Sequence, residues 1–175
     1  MALAATALDI VTLTVALIGA LTGVASLAWA IASHALSGAR VAVDLEGGWV
    51  GAAGLVTMPL RRFNPATQPD ERFPEPVVCV EVCNTGRLPV SVTGWFIEVG
   101  KVSLGHVVHP ANRPLPHTLD VGESRTWVVP VGEVVAAIET HREVLGDAGA
   151  LRGVARLGNG RTIKSRDAVP SSTLA

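Results

Sequence analysis

Hydrophobic and polar positions divide the chain near residue 39. Residues 10–33 form twenty-four consecutive positions without Asp, Glu, Lys, Arg or His, bounded by Asp9 and His34. A bilayer core of about 30 Å needs roughly 20 apolar residues at ~1.5 Å rise each, and in lipid a helix is the one single segment that satisfies its own backbone. The pattern predicts a short tail at residues 1–9 and one transmembrane helix over residues 10–36. Trp29 suits an interfacial anchor, and His34, Ser37 and Gly38 lead the chain into water.

From Arg40 the period falls to two. Val41, Val43 and Leu45 alternate with Ala42, Asp44 and Glu46, as a half-buried strand does. Gly47 and Gly48 read as a break, and residues 49–60 as a second apolar strand. Residues 61–76 are rich in proline, charged and polar positions and read as a long surface loop. Residues 77–83 and 89–99 predict two strands joined by the turn Asn84-Thr85-Gly86-Arg87, with Val90, Val92 and Trp95 or Phe96 turned inward. A short strand is expected over 101–108, irregular chain over 110–117, and a tight turn at Leu119-Asp120-Val121-Gly122-Glu123 before a strand over 124–131. Val134, Val135, Ile138 and Leu145 recur at helical spacing, with Glu133, Glu139, His141, Arg142 and Glu143 opposite, so one short helix belongs at 132–145. The chain closes on a hairpin, residues 151–157 and 161–165 around Gly158-Asn159-Gly160.

Seven or eight short strands and one helix predict a mainly β domain over residues 40–166, an immunoglobulin-like β-sandwich, with a disordered tail at 167–175. The cross-sheet cysteine pair of true immunoglobulin domains is missing, because Cys79 and Cys83 are the two cysteines of the chain. Four apart on one strand they lie roughly 13 Å apart, too far to bridge.

The run Val80-Glu81-Val82-Cys83-Asn84-Thr85-Gly86-Arg87-Leu88-Pro89-Val90-Ser91-Val92, the turn Leu119-Asp120-Val121-Gly122-Glu123-Ser124 and the hairpin Gly158-Asn159-Gly160-Arg161-Thr162-Ile163-Lys164-Ser165 carry a resemblance. Together they resemble a loose group of uncharacterised bacterial and phage proteins. The resemblance spans residues 77–166, rests on turn motifs, and implies a small β-sandwich behind a single N-terminal membrane helix. It implies no catalytic residue.

Composition adds location rather than chemistry. Arg outnumbers Lys, which stands only at 101 and 164, Tyr is absent, and Ala, Val and Gly are abundant, as in proteins of GC-rich bacterial or phage genomes. All 14 basic residues, and every acidic one except Asp9, follow residue 39. The domain is nearly neutral with mixed signs, so no basic stripe points to nucleic acid. The first nine residues lack the cations of a signal peptide, which favours a retained anchor, although Ala28-Trp29-Ala30 and Ala30-Ile31-Ala32 have the small-x-small form of a cleavage site. Arg40, Arg61 and Arg62 are the first cations after the span, so the positive-inside rule places the C-terminal domain in the cytoplasm. Gly19 and Gly23, in a row with Thr12, Ala16 and Ala20, make a Gly-x-x-x-Gly pair through which two membrane helices can associate.

Candidate chemistry is sparse. His106, His109 and His117 are the weak metal candidates, three imidazoles in one irregular region without an acidic or cysteine ligand among them. Gly48, Gly51 and Gly54 imitate a phosphate loop but lack the following helix and Lys-Ser/Thr. Ser124 lies in a Gly-Glu-Ser turn rather than a nucleophile elbow, and Arg152, Arg156 and Arg161 form at most a small basic face. The expectation is a single-pass, membrane-anchored, non-enzymatic interaction or structural module without a cofactor. Its partners are the bilayer, a second copy through the helix, and a protein met at loops 61–76 or 105–118. The alternatives are an exported envelope-binding domain of opposite orientation and a metal-dependent enzyme using the histidine loop.

Overall fold

The computed structural model describes residues 2–36, 40–105, 108–146 and 149–174 and divides the chain into two compact units at residue 38. The first unit is α1, Ala2–Leu36. The helix begins eight residues earlier than expected, because Ala2, Leu3, Ala4, Ala5 and Ala7 are strong helix formers that continue the span backwards past Asp9. Within it, Thr12–Ser33 is long and apolar enough to cross a membrane, 22 residues that rise about 33 Å, and none of it is buried. Thr22 and Ser33 turn their hydroxyls onto the carbonyls of Ile18 and Trp29, at 2.8 and 2.7 Å, so these polar groups are satisfied within the helix. Ser37 and Gly38 lie outside the described residues.

The second unit is mainly β, two antiparallel sheets in a sandwich. One sheet has the order β2-β1-β3-β7, from Gly54–Pro59, Val41–Gly51, Glu75–Asn84 and Ser124–Pro130. The other has the order β10-β8-β4-β5, from Val169–Pro170, Ala150–Leu157, Val90–Val99 and Val102–Gly105, with β6 (His117–Leu119) on β4 and β9 (Thr162–Lys164) on β8. Seven of these strands have four or more residues, as expected. Of the other three, β9 is the expected second arm of the closing hairpin, and β6 and β10 are stretches of three and two residues that carry little periodic signal.

Alternation places Val43, Leu45 and Trp49 of β1, Val78, Val80 and Val82 of β3, and Trp127 and Val129 of β7 in the core. Val90, Val92, Trp95, Ile97 and Val99 of β4 meet them with Leu151, Ala155 and Leu157 of β8. Trp95 and Trp127, one from each sheet, stack at 6.5 Å. Gly153 of β8 lets Val80, Leu45 and Val43 approach within 3.4–3.5 Å of where a Cβ would stand, so the two sheets close tightly there.

Three expectations are corrected. Gly47 and Gly48 continue β1 instead of breaking it, because a Cβ at Gly47 would strike the Phe63 ring and one at Gly48 the Val56 carbonyl. The glycines thus permit two close approaches within an unbroken strand. Loop 61–76 is mostly exposed, as a surface loop should be, but it is shorter than expected, since β3 takes Glu75 and Pro76, and it buries Phe63, which packs on Trp49 with ring centroids 4.7 Å apart. The tail is also ordered, since Val169 pairs with Leu151, and Val169, Ser171 and Leu174 are buried. Its Pro and Ser residues mask two apolar positions that complete the core.

The helix α2, Val131–Leu145, starts after Pro130 and ends at Gly146, whose φ of 76° and N–H bond to the Arg142 carbonyl close the last turn. It buries Val131, Val134 and Ile138, with Val135 half-buried. His141 belongs to this inner face rather than the polar one, three residues after Ile138 and seven after Val134.

Candidate functional site

The polar groups converge on one end of the sandwich, where β3 ends and β7 begins. Asn84 is completely buried, and its amide donates to the carbonyls of Leu88, Leu119 and Asp120 at 2.9, 3.1 and 3.1 Å. Its Oδ1 accepts from the Gly86 N–H at 3.0 Å, its N–H donates to the Glu123 carbonyl, and its own carbonyl accepts from the Gly122 N–H. One side chain therefore ties together the two turns that carry the resemblance. Gly122 has a φ of 76°, a conformation that L side chains rarely adopt.

Glu123 continues the network. Its Oε2 accepts from the Asp120 N–H at 3.0 Å and its Oε1 meets the Arg125 guanidinium at 2.8 Å. The Asp120 N–H, and secondarily the charge of Arg125, hold the Glu123 carboxyl below the ordinary glutamate range. Arg125 Nε donates to His117 Nε2 at 3.2 Å, which leaves the proton of a neutral imidazole on Nδ1, and the His117 ring stands edge-on to Trp127 at 6.4 Å. The row Glu123, Arg125, His117 and Trp127 is a structural ladder across the sheets.

The candidate metal residues are not brought together. His117 starts β6 and its Nε2 is committed to Arg125. His109 lies elsewhere, its Nδ1 accepting from the Ala111 N–H at 3.1 Å and its Nε2 facing Glu75 Oε2 at 3.2 Å. His106 lies outside the described residues. Among the described residues no three His, Cys, Asp or Glu side chains are placed to hold a metal ion. The histidines separate because the segment between them is pinned along β7: the Asn112 amide donates to the Val128 carbonyl at 2.9 Å and its Oδ1 accepts from the Val128 N–H at 2.7 Å.

His141 is a functional-looking residue with a structural task. Its Nε2 accepts from the Lys101 N–H at 3.1 Å and presses against Gly100, whose φ is 58°, fixing the β4–β5 turn. Cys79 is buried on the outer face of its sheet with Val50, Val77 and Val128. Burial, and then the charges of Glu46 and Glu81, push its thiol up to about 12, so it stays protonated and unreactive at neutral pH. Cys83 is half-buried on the same strand. Ser124 is exposed at the start of β7, opposite Cys83.

The chain matches no family model and no curated protein.

The outer face of the β8-β4-β5 sheet has a recess of about 350 Å³ lined by Thr93, Gly94, Phe96, Ser103, Gly105 and Arg156. Arg156 lies 6.0 Å from the Phe96 ring centroid, and Thr93 donates to the Arg156 carbonyl at 3.2 Å. The neighbouring Glu98 and Lys164 pair at 2.7 Å, so the arginine face is a mixed, solvated surface. The recess offers one cation and two hydroxyls, a binding chemistry rather than a nucleophile with its base. On α1, Gly19 and Gly23 stand in open space with nothing within 4 Å of where their Cβ atoms would be.

Proposed function

We propose that this chain is a single-pass membrane protein whose N-terminal helix holds a non-enzymatic β-sandwich interaction module on the cytoplasmic face. The observation that carries the reading is the Thr12–Ser33 segment, apolar and exposed through Ala32, beside a separate domain with a buried core of its own between Val43 and Leu174. An apolar helix left in water is costly, whereas in hydrocarbon the same surface is at home. The ladder at the sandwich end supports a structural rather than a catalytic role for those residues, because its polar atoms are spent on one another. The absence of a basic stripe argues against nucleic acid as a partner. Gly19 and Gly23 give the helix a face on which a second anchor can pack, and Arg40, Arg61 and Arg62 favour the inward orientation.

Sidedness tests the reading. With cysteine placed at the exposed hairpin tip by Asn159→Cys, an impermeant maleimide is expected to label the protein only after the cells are permeabilised, while carbonate washing leaves it in the membrane pellet. Labelling in intact cells would reverse the orientation and favour an exported, envelope-binding domain. Release into the carbonate supernatant, with a new N-terminus near residue 31 or 33, would replace the anchor with a cleaved signal.

A further inference from the structure

The sandwich protects its strand edges unequally. Along β7, the Asn112 side chain makes two hydrogen bonds to Val128, and the Trp127 indole N–H donates to the Arg113 carbonyl at 3.2 Å, so that edge is covered. β5 has four residues, with α2 packed against it. β10 has two, one of them Pro170. Where β1 runs on past the end of β2, Ile163, Lys164 and Arg166 flank it. β2 differs. Gly54-Leu55-Val56-Thr57-Met58-Pro59 carries no charge, pairs with β1 on one side, and has no described element on the other. Leu55 and Val56 remain 36% and 38% exposed. Natural sheets normally blunt such an edge with charge, a bulge or a cover, because a row of unpaired N–H and C=O groups recruits another strand.

We propose that the free edge of β2 pairs antiparallel with β2 of a second copy of this chain. Charge selects this occupant and this direction. Arg61 and Arg62 are exposed just beyond the Pro59 end of the strand. At the other end the Arg72 carbonyl lies against Gly51, next to the hairpin tip; Arg72 is ion-paired with Asp70 at 2.7 Å, which leaves the exposed Glu71 as the net charge of that end. An antiparallel pair carries the arginines of each copy toward the Glu71 end of the other, twice by symmetry. A parallel pair would set arginine against arginine. Opposed residues share a face, so a two-fold axis requires one residue to face itself, and the six-residue strand centres the pair on Val56 or Thr57.

The contact is small. Edge pairing over six residues buries far less than the roughly 1,200 Å² of a stable interface, so free domains associate weakly. The proposal therefore rests on the membrane tether, which confines both copies to one plane and raises their effective concentration.

The test uses the full chain in vesicles, in a Cys83→Ser background, with Val56→Cys, Thr57→Cys and, as a distant control, Asn159→Cys. Cross-strand Cα separations of about 4.5–5.5 Å fall within the range of a disulfide, so mild oxidation is expected to yield covalent dimer at position 56 or 57 at least ten times above the Asn159→Cys background. Adding Arg61→Glu and Arg62→Glu should lower that yield severalfold, and Glu71→Arg in the same molecule should restore it. Flotation of the same samples reads the tether separately. Flotation with cross-linking at background overturns the pairing. Cross-linking without flotation overturns the tether and keeps the pairing, and loss of both overturns both.

Discussion

Asn84 and Glu123 support the same two turns by different physics, and pH separates them. The Asn84 amide is neutral, buried and shared among three carbonyls and one N–H. Removing it leaves several buried polar groups without partners, each costing about 1–3 kcal/mol, so Asn84→Ala should destabilise the domain by about 3 kcal/mol at every pH where it folds. Glu123 acts through its charge. Its pKa is lowered in the folded protein, so its contribution is fully present above the unfolded value of about 4.3 and is lost as pH falls through the folded value. Urea unfolding of Glu123→Gln should show a loss against the parent at pH 7 that vanishes in acid, while the Asn84→Ala loss persists. Parallel pH profiles for the two variants would refute this division. The turn at Asn84 is legible in the sequence from Asn-x-Gly, but its contact with residues 119–123, thirty-five positions away, is not, because a turn motif encodes local backbone geometry and not what docks on it.

At the scale of elements, period-two alternation marks the long strands and the helical spacing of Val134 and Ile138 marks α2, since burial of one face leaves that imprint directly. Legibility fails where composition and packing disagree. Gly47 and Gly48 read as a break although they serve close approach, and His141 reads as polar surface although its ring fills a gap over Gly100. The histidines, close in sequence, are held apart by an Asn112 clamp that no spacing rule anticipates. The tail is the plainest case. Ser165 accepts from the Gly153 N–H at 3.1 Å and donates to the Asp167 carbonyl at 2.9 Å, directing the chain so that Val169 and Leu174 reach the core. Each buried side chain of that size contributes about 1.5–3 kcal/mol. A chain ending at Asp167 should accordingly lose about 3–5 kcal/mol in thermal or urea unfolding, whereas removal of a truly disordered tail would leave the midpoint unchanged.

At the scale of the whole molecule, the two units differ in where their apolar surface goes. The described side chains of α1 between Thr12 and Ala32 are all exposed, so its apolar surface has no partner within its own unit, and the Thr22 and Ser33 hydroxyls are already satisfied inside the helix. The domain has the opposite character: alternating strands bury their apolar face between two sheets, and every residue of the central core lies between Val43 and Leu174. Deleting the helix should therefore subtract membrane binding without subtracting folding free energy. Residues 40–175 alone are expected to remain in the supernatant after ultracentrifugation, to unfold cooperatively, and to match the detergent-solubilised full chain in urea-unfolding free energy within about 0.5 kcal/mol, the scatter of uncoupled changes. A fragment that aggregates or unfolds without cooperativity would mean that the helix covers apolar surface of the sandwich, and the division into anchor and independent module would fall. The comparison also isolates what the anchor adds. With folding unchanged, any self-association present in vesicles and absent from the fragment at equal bulk concentration comes from confinement to a plane and from helix contacts at Gly19 and Gly23, not from a better-formed domain.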